Sequence, residues 1–140
     1  MLFRSYWFRP EDNPEVAKKV TELTQPDPFD AHAGNSETSE MMAAQPAVSH
    51  SERAGQQSGV DLERMKELQY VYTGIWWYAS YPNHYGGDGS KSNAQAGELL
   101  INETVSQLVK MIQQVKADKT VPELQKQFFN EAENPLKTKQ

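Results

Sequence analysis

At 140 residues with 37% hydrophobic side chains and a mean hydropathy of −0.77, the chain is at most one ordinary domain with a modest core. A net charge of −5 without any Lys/Arg run argues against general nucleic-acid binding, which needs a basic face along the phosphates. Zero Cys excludes disulfides, zinc knuckles and thiol catalysis, and no apolar run approaches the roughly 18 residues that span a bilayer.

Leu2, Phe3, Tyr6, Trp7 and Phe8 suit a pleated surface and predict a strand over 2–8. That opening reads as a strand and not as a signal peptide, which would need a longer apolar core and a small-residue cleavage site. Asn13 followed by Pro14 reads as an N-cap with Pro at the first helical position. Val16, Ala17, Val20 and Leu23 then recur at helical spacing, giving a helix over 14–24 with a narrow apolar stripe. Pro26 and Pro28 stop it, because each disfavours helix in the residue before it.

A short helix is expected from near Ser36 to Pro46, then a loop-rich stretch over 47–68. The tract Tyr70 to Tyr78 is the most aromatic in the chain. It favours extended structure, with Gly74 marking a bulge or a close backbone approach. Pro82 to Gly89 is a Gly-rich loop. From about Ser92 to Ala117, Ala94, Gly97, Ile101, Val105, Leu108, Ile112 and Val115 repeat every three or four residues, so a long helix is expected. Thr120-Val121-Pro122-Glu123 reads as a capping box opening a further helix whose apolar face is Val121, Leu124 and Phe128. This alternation favours an α/β layered domain. One or two strands make too small a sheet to stand alone in water, so an N-terminal part or another subunit is expected to complete it.

The chemistry concentrates in Phe29-Asp30-Ala31-His32-Ala33-Gly34-Asn35-Ser36-Glu37-Thr38-Ser39, a loop running into a helix. A histidine such as His32 can move protons or bind a metal. Asp30 either orients the imidazole, holds a substrate N–H or caps a turn. Glu37 falls in the first helical turn, where the dipole favours a carboxylate, and so has a structural reading as well as a functional one. His50-Ser51-Glu52 has His-x-Glu spacing, but so short a pattern is permissive, and it reads as a surface loop. Of Trp76 and Trp77, which cannot share one side of a strand, one is expected in the core and the other at a pocket rim or interface.

His32-Ala33-Gly34-Asn35-Ser36-Glu37-Thr38-Ser39 resembles the His-Ala-Gly-x-x-Glu-Thr-Ser signature of the creatininase (creatinine amidohydrolase) family. Gly87-Asp88, then Ala94 and Gly97, resembles that family's Gly-Asp, Ala, Gly pattern leading into its last long helix. The resemblance covers nearly all of this chain but only the C-terminal portion of the family domain. It implies a partial α/β/α layered fold with a small, mainly parallel sheet and a long C-terminal helix. Within it, 1–46 would hold the strand, helix and signature, 47–68 a linker, 69–91 the aromatic segment and Gly loop, and 92–133 the C-terminal helices.

The resemblance also implies a metal-dependent hydrolase of C–N bonds in small amides, assembled as a homo-oligomer, often a hexamer. In such enzymes a pair of divalent cations, zinc or manganese, activates water. Their ligands, a Glu-x-His pair, an Asp and a His-x-Glu pair, come before the His-Ala-Gly signature. No such positions occur in this sequence, so no metal ligand is assigned, and the chain alone is expected to be inactive. By the same resemblance His32, Asp30 and Glu37 are the candidate catalytic residues, with His32 and Phe29 as substrate contacts. Ala31 stands where relatives carry an acid just before the His, so either Asp30 takes that part or the acid is absent. The competing expectation is a non-catalytic protein that keeps the helical layer and associates through its aromatic tract. Neither nucleic acid nor membrane is expected as a partner, and a cytoplasmic setting is favoured without being fixed.

Overall fold

A computed structural model describes residues 8–68 and 70–138. The expected strand over 2–8 therefore lies, apart from Phe8, outside the described residues. The elements are α1 (Pro14–Thr24), α2 (Asn35–Ala44), α3 (Trp76–Ser80), α4 (Ala94–Ala117) and α5 (Thr120–Glu133), with short 3-10 turns at Pro10–Asp12, Pro46–Val48, Ser51–Gln56 and Pro135–Lys137. Among the described residues there is no strand. The one β feature is an isolated antiparallel bridge between His32 and Gly86. The chain divides into two compact units, Met1–Val105 and Ser106–Gln140.

In the first unit α1 forms where the sequence predicts. The Asn13 side chain accepts from the Glu15 N–H at 3.1 Å, satisfying one of the donors a helix start leaves open. Gln25 closes the helix in a left-handed conformation, φ 44°. The stripe Val16, Val20 and Leu23 packs against Ala96, Leu99 and Leu100 of α4. Leu100 and Ala96 are fully buried and Val20 nearly so. Removing one such aliphatic side chain from water is worth about 1.5–3 kcal/mol.

α2 crosses the start of α4 at very short range. A Cβ on Gly97 would lie 2.0 Å from the Ser39 carbonyl oxygen, so only Gly fits there. The crossing is polar as well as close. The Asn93 N–H donates to the buried Ser39 hydroxyl at 3.1 Å, and the Ser92 hydroxyl donates to the Asn35 carbonyl at 3.2 Å. Asn93 also caps α4, its side chain accepting from the Gln95 N–H at 2.8 Å.

The aromatic tract departs from expectation. It is not extended: a turn leads into α3, Trp76–Ser80. Trp77 and Tyr81, the residue that ends α3, lie four apart, and their rings meet at 4.8 Å. Arg64 secures the C-terminal end of α3. It donates to the Ala79 carbonyl at 2.6 Å and to the Tyr78 carbonyl, with its guanidinium over the Tyr78 ring at 5.2 Å.

The second unit contains the C-terminal half of α4, then α5. The capping box expected at Thr120 is replaced by an upstream cap. Lys119 is the N-cap and makes no side-chain cap bond, while the Asp118 carboxylate accepts from the Thr120 and Val121 N–H groups at 3.0 and 3.3 Å. An acceptor two residues before the first helical N–H reaches it more readily than Thr120, which already lies within the helix. No α5 residue is buried.

Candidate active-site loop

The signature occupies the connection from α1 to α2. Its backbone is joined to the Gly-rich loop by the His32–Gly86 bridge, with His32 N–H to Gly86 O and Gly86 N–H to His32 O both at 2.9 Å. The Ala31 N–H shares the same Gly86 carbonyl at 2.9 Å. Ala33 has φ 53°, a left-handed conformation uncommon for a residue with a Cβ, so the loop is held there by its surroundings.

Those surroundings are the first turn of α2. One oxygen of Glu37 accepts from the Ala33 N–H at 2.6 Å and lies 3.1 Å from His32 Nδ1. With a carboxylate at Nδ1, the neutral tautomer that makes this hydrogen bond carries its proton there, which leaves Nε2 as the acceptor. The Thr38 hydroxyl donates to the Ala33 carbonyl at 3.0 Å. Asp30 accepts from the Ser36 N–H at 2.8 Å, serving the positive end of α2. A Cβ on Gly34 would lie 2.0 Å from the other Asp30 oxygen, so this capping geometry requires Gly at position 34.

Rings surround the imidazole. Trp77 meets His32 edge-on at 6.0 Å and donates its indole N–H to His84 at 3.2 Å. Tyr81 stacks on Phe29 at 5.5 Å with 15° between planes. The His32 and Glu37 side chains are about half exposed, so the imidazole is open to a ligand.

The structure therefore brings His32, Glu37 and Phe29 to one loop, and sets Asp30 at the helix start, where it touches Ser36 and not the imidazole. Ser39, the last residue of the signature, joins α2 to α4. Thr38 anchors the loop, and sequence reasoning missed it. Asn35 was missed too; it is buried and donates to Thr24 at 3.1 Å. Its signal was its place at the head of α2, directly after the obligatory Gly34. His50 and Glu52 pair with each other at 3.0 Å on the surface. The Glu52 carboxyl is held below its ordinary value, first by its own backbone N–H and then by His50 and Arg53. His84 sits in a left-handed turn, φ 57°. Asp88 bonds locally: it accepts from the Ser90 N–H at 2.8 Å and the Ser90 hydroxyl at 2.9 Å, which lowers its pKa.

Zinc or manganese, the metals that the family resemblance implies, find no cage here. Among the described residues no three His, Cys, Asp or Glu side chains come together in a way that could hold an ion. No described helix is long and apolar enough to cross a membrane.

Comparison with solved structures finds a crystal structure, at 2.11 Å, from Bacteroides fragilis NCTC 9343, whose own assignment as a creatinine amidohydrolase is provisional. The TM-score is 0.51 at 20% sequence identity, over 72% of this chain. This chain spans 42% of the length of that one. No curated protein matches. The family model for creatininase, creatinine amidohydrolase, matches residues 4–112. A match over that much of the sequence, with the signature loop and the Gly97 crossing built as described, assigns the chain to the creatininase family.

Proposed function

We propose that this chain supplies the proton-handling loop of a creatininase-type amidohydrolase that cleaves a C–N bond in a small amide. The observation that carries the reading is the shared Glu37 oxygen on His32 Nδ1 and the Ala33 N–H. It sets the tautomer and heading of the imidazole and leaves Nε2 free to take a proton from the attacking water and then hand that proton to a leaving nitrogen. Phe29, 45% exposed and backed by Tyr81, offers a flat apolar face for a planar amide. Asp30 acts indirectly, by fixing the loop to α2. The α/β/α layers with a small parallel sheet, the homo-oligomer and the dependence on zinc or manganese belong to the same reading. With no cage among the described residues, the metal would have to be held by groups other than these.

The test is an isotope-edited NMR titration of the chain with creatinine and with hydantoin as a second cyclic amide. Shifts are expected at the His32 ring and the Phe29 and Ala33 amides, and are expected to vanish in His32→Gln. Shifts confined to other regions would overturn the reading. Metal analysis and an amidase assay on the same sample are expected to show neither stoichiometric metal nor turnover. Stoichiometric zinc with turnover would refute the proposed division of labour.

A further inference from the structure

A cavity of about 930 Å³ lies beside the signature loop, with Phe29, Tyr81 and Tyr85 among its walls and neither His32 nor Glu37 lining it. Asp27, Asp61 and Asp88 also face it, and no Lys or Arg among the described residues lines it. Three features set it apart from a surface acidic cluster. First, its floor is aromatic, the stacked Phe29–Tyr81 pair, and the negative faces of rings attract cations. Second, Tyr81 as a residue is more than nine-tenths buried and lines the cavity, while its hydroxyl oxygen is not itself a buried, unpartnered atom and so stays accessible. Burial, with the nearby Asp61 charge, pushes that phenol up, so it stays neutral and offers a lone pair. Third, the acidic groups are unequally committed. Asp88 is taken by Ser90, with Lys91 nearby. Asp61 uses one oxygen on the Glu63 N–H at 2.7 Å, and Asp27 has no ion pair among the described residues.

We infer that this cavity binds a primary alkylammonium group. The N–H donors of the ammonium would meet Asp61, Asp27 and the Tyr81 oxygen, all of which can accept. Its alkyl chain would lie along Val60, Ala54 and the ring faces. A quaternary ammonium has no N–H to offer these acceptors, and an anion meets two carboxylates. The glycines keep the wall in place: a Cβ on Gly59 would fall 2.0 Å from the Gly87 carbonyl oxygen, and Gly87 N–H donates to Gly59 O at 3.0 Å. The inference does not depend on amide hydrolysis, because its readout is binding.

The probe is n-butylammonium, titrated into the full chain by NMR, against n-butanol and butyrate as neutral and anionic analogues. Butylammonium is expected to shift the amides of residues 59–61 and 87–88 and to bind at least about tenfold tighter than either analogue. Asp61→Asn is expected to weaken it about fivefold or more. Should that variant fold poorly, the wild-type protein decides. Raising NaCl from about 20 mM to about 300 mM should weaken butylammonium and leave butanol unchanged, since salt screens only the charged ligand. Equal binding of butanol, indifference to both Asp61 and salt, or no binding overturns the inference.

Discussion

The signature loop and the second unit solve opposite problems. The loop buries little, yet nearly every polar group in it is spoken for: Asp30 by Ser36, Ala33 by Glu37 and Thr38, His32 by Gly86 and Glu37. The second unit has ample apolar surface and little use for it within itself. Leu108, Ile112, Val115, Leu124 and Phe128 are between 41% and 65% exposed. Position in the first unit is therefore set by directed bonds and close backbone contact, which fail sharply when altered. In the second unit it is set by helix propensity and local caps, which fail gently. The family match stops at residue 112, so the exposed Phe128 face lies outside the part that the family model describes.

The contrast can be broken most forcefully at Gly97. Gly97→Leu places carbon where the Ser39 carbonyl already lies, and is expected to cost about 3 kcal/mol or more, enough to unfold the first unit in thermal denaturation. Leu100→Ala empties a fully buried site and is expected to cost about 2–4 kcal/mol in urea titration. Phe128→Ala in the second unit is expected to cost under about 1 kcal/mol by the same measurement; a larger loss would mean that Phe128 is covered in solution. Glu37→Ala frees Ala33 N–H and His32 Nδ1 together and is expected to cost about 1–2 kcal/mol. Nitrogen chemical shifts of the imidazole should then move from one tautomer, protonated at Nδ1, to a mixture.

The smallest effects concern pH. Asp88 is lowered in the folded chain, so its contribution is present above its unfolded value and is lost as pH falls through the folded value. Asp88→Asn should therefore destabilise by about 1 kcal/mol at pH 7, and less as pH drops below the ordinary Asp range. Glu40 is raised, first by burial and then by Glu11 and Glu37. A raised carboxyl favours the folded state when protonated, so its cost appears as pH rises past the ordinary Glu value. Glu40→Gln should stabilise slightly at pH 7 and not at pH 3, measured by paired thermal melts.

The helices were legible because their signals are local. Asn13-Pro14 starts α1, and the three-to-four spacing from Ala94 onward runs the full length of α4. The signature residues stood out because their types and order are unusual in so short a span. What escaped was set by contacts distant in sequence. Ser39 finds its partner at Asn93, and the aromatic tract curls into α3 because Arg64 reaches its end carbonyls. A run of aromatic residues is compatible with either backbone until such a partner decides. The oxygen that steers His32 belongs to Glu37, one helical turn away. Sequence spacing brings the pair within reach, but only the left-handed turn at Ala33 brings both donors to a single oxygen.

Residues 36, 37 and 38 each clasp a different part of the segment from Asp30 to Ala33, so that segment moves as a rigid prow of α2. It has no hinge of its own. The imidazole is already half exposed, and any wider opening must come from the opposite bank, where Gly86 holds Ala31 and His32 by main-chain bonds. The aim of the imidazole is thus inherited from the rotation of a helix, and a change far along α2 that turned it by a few degrees would re-aim the ring.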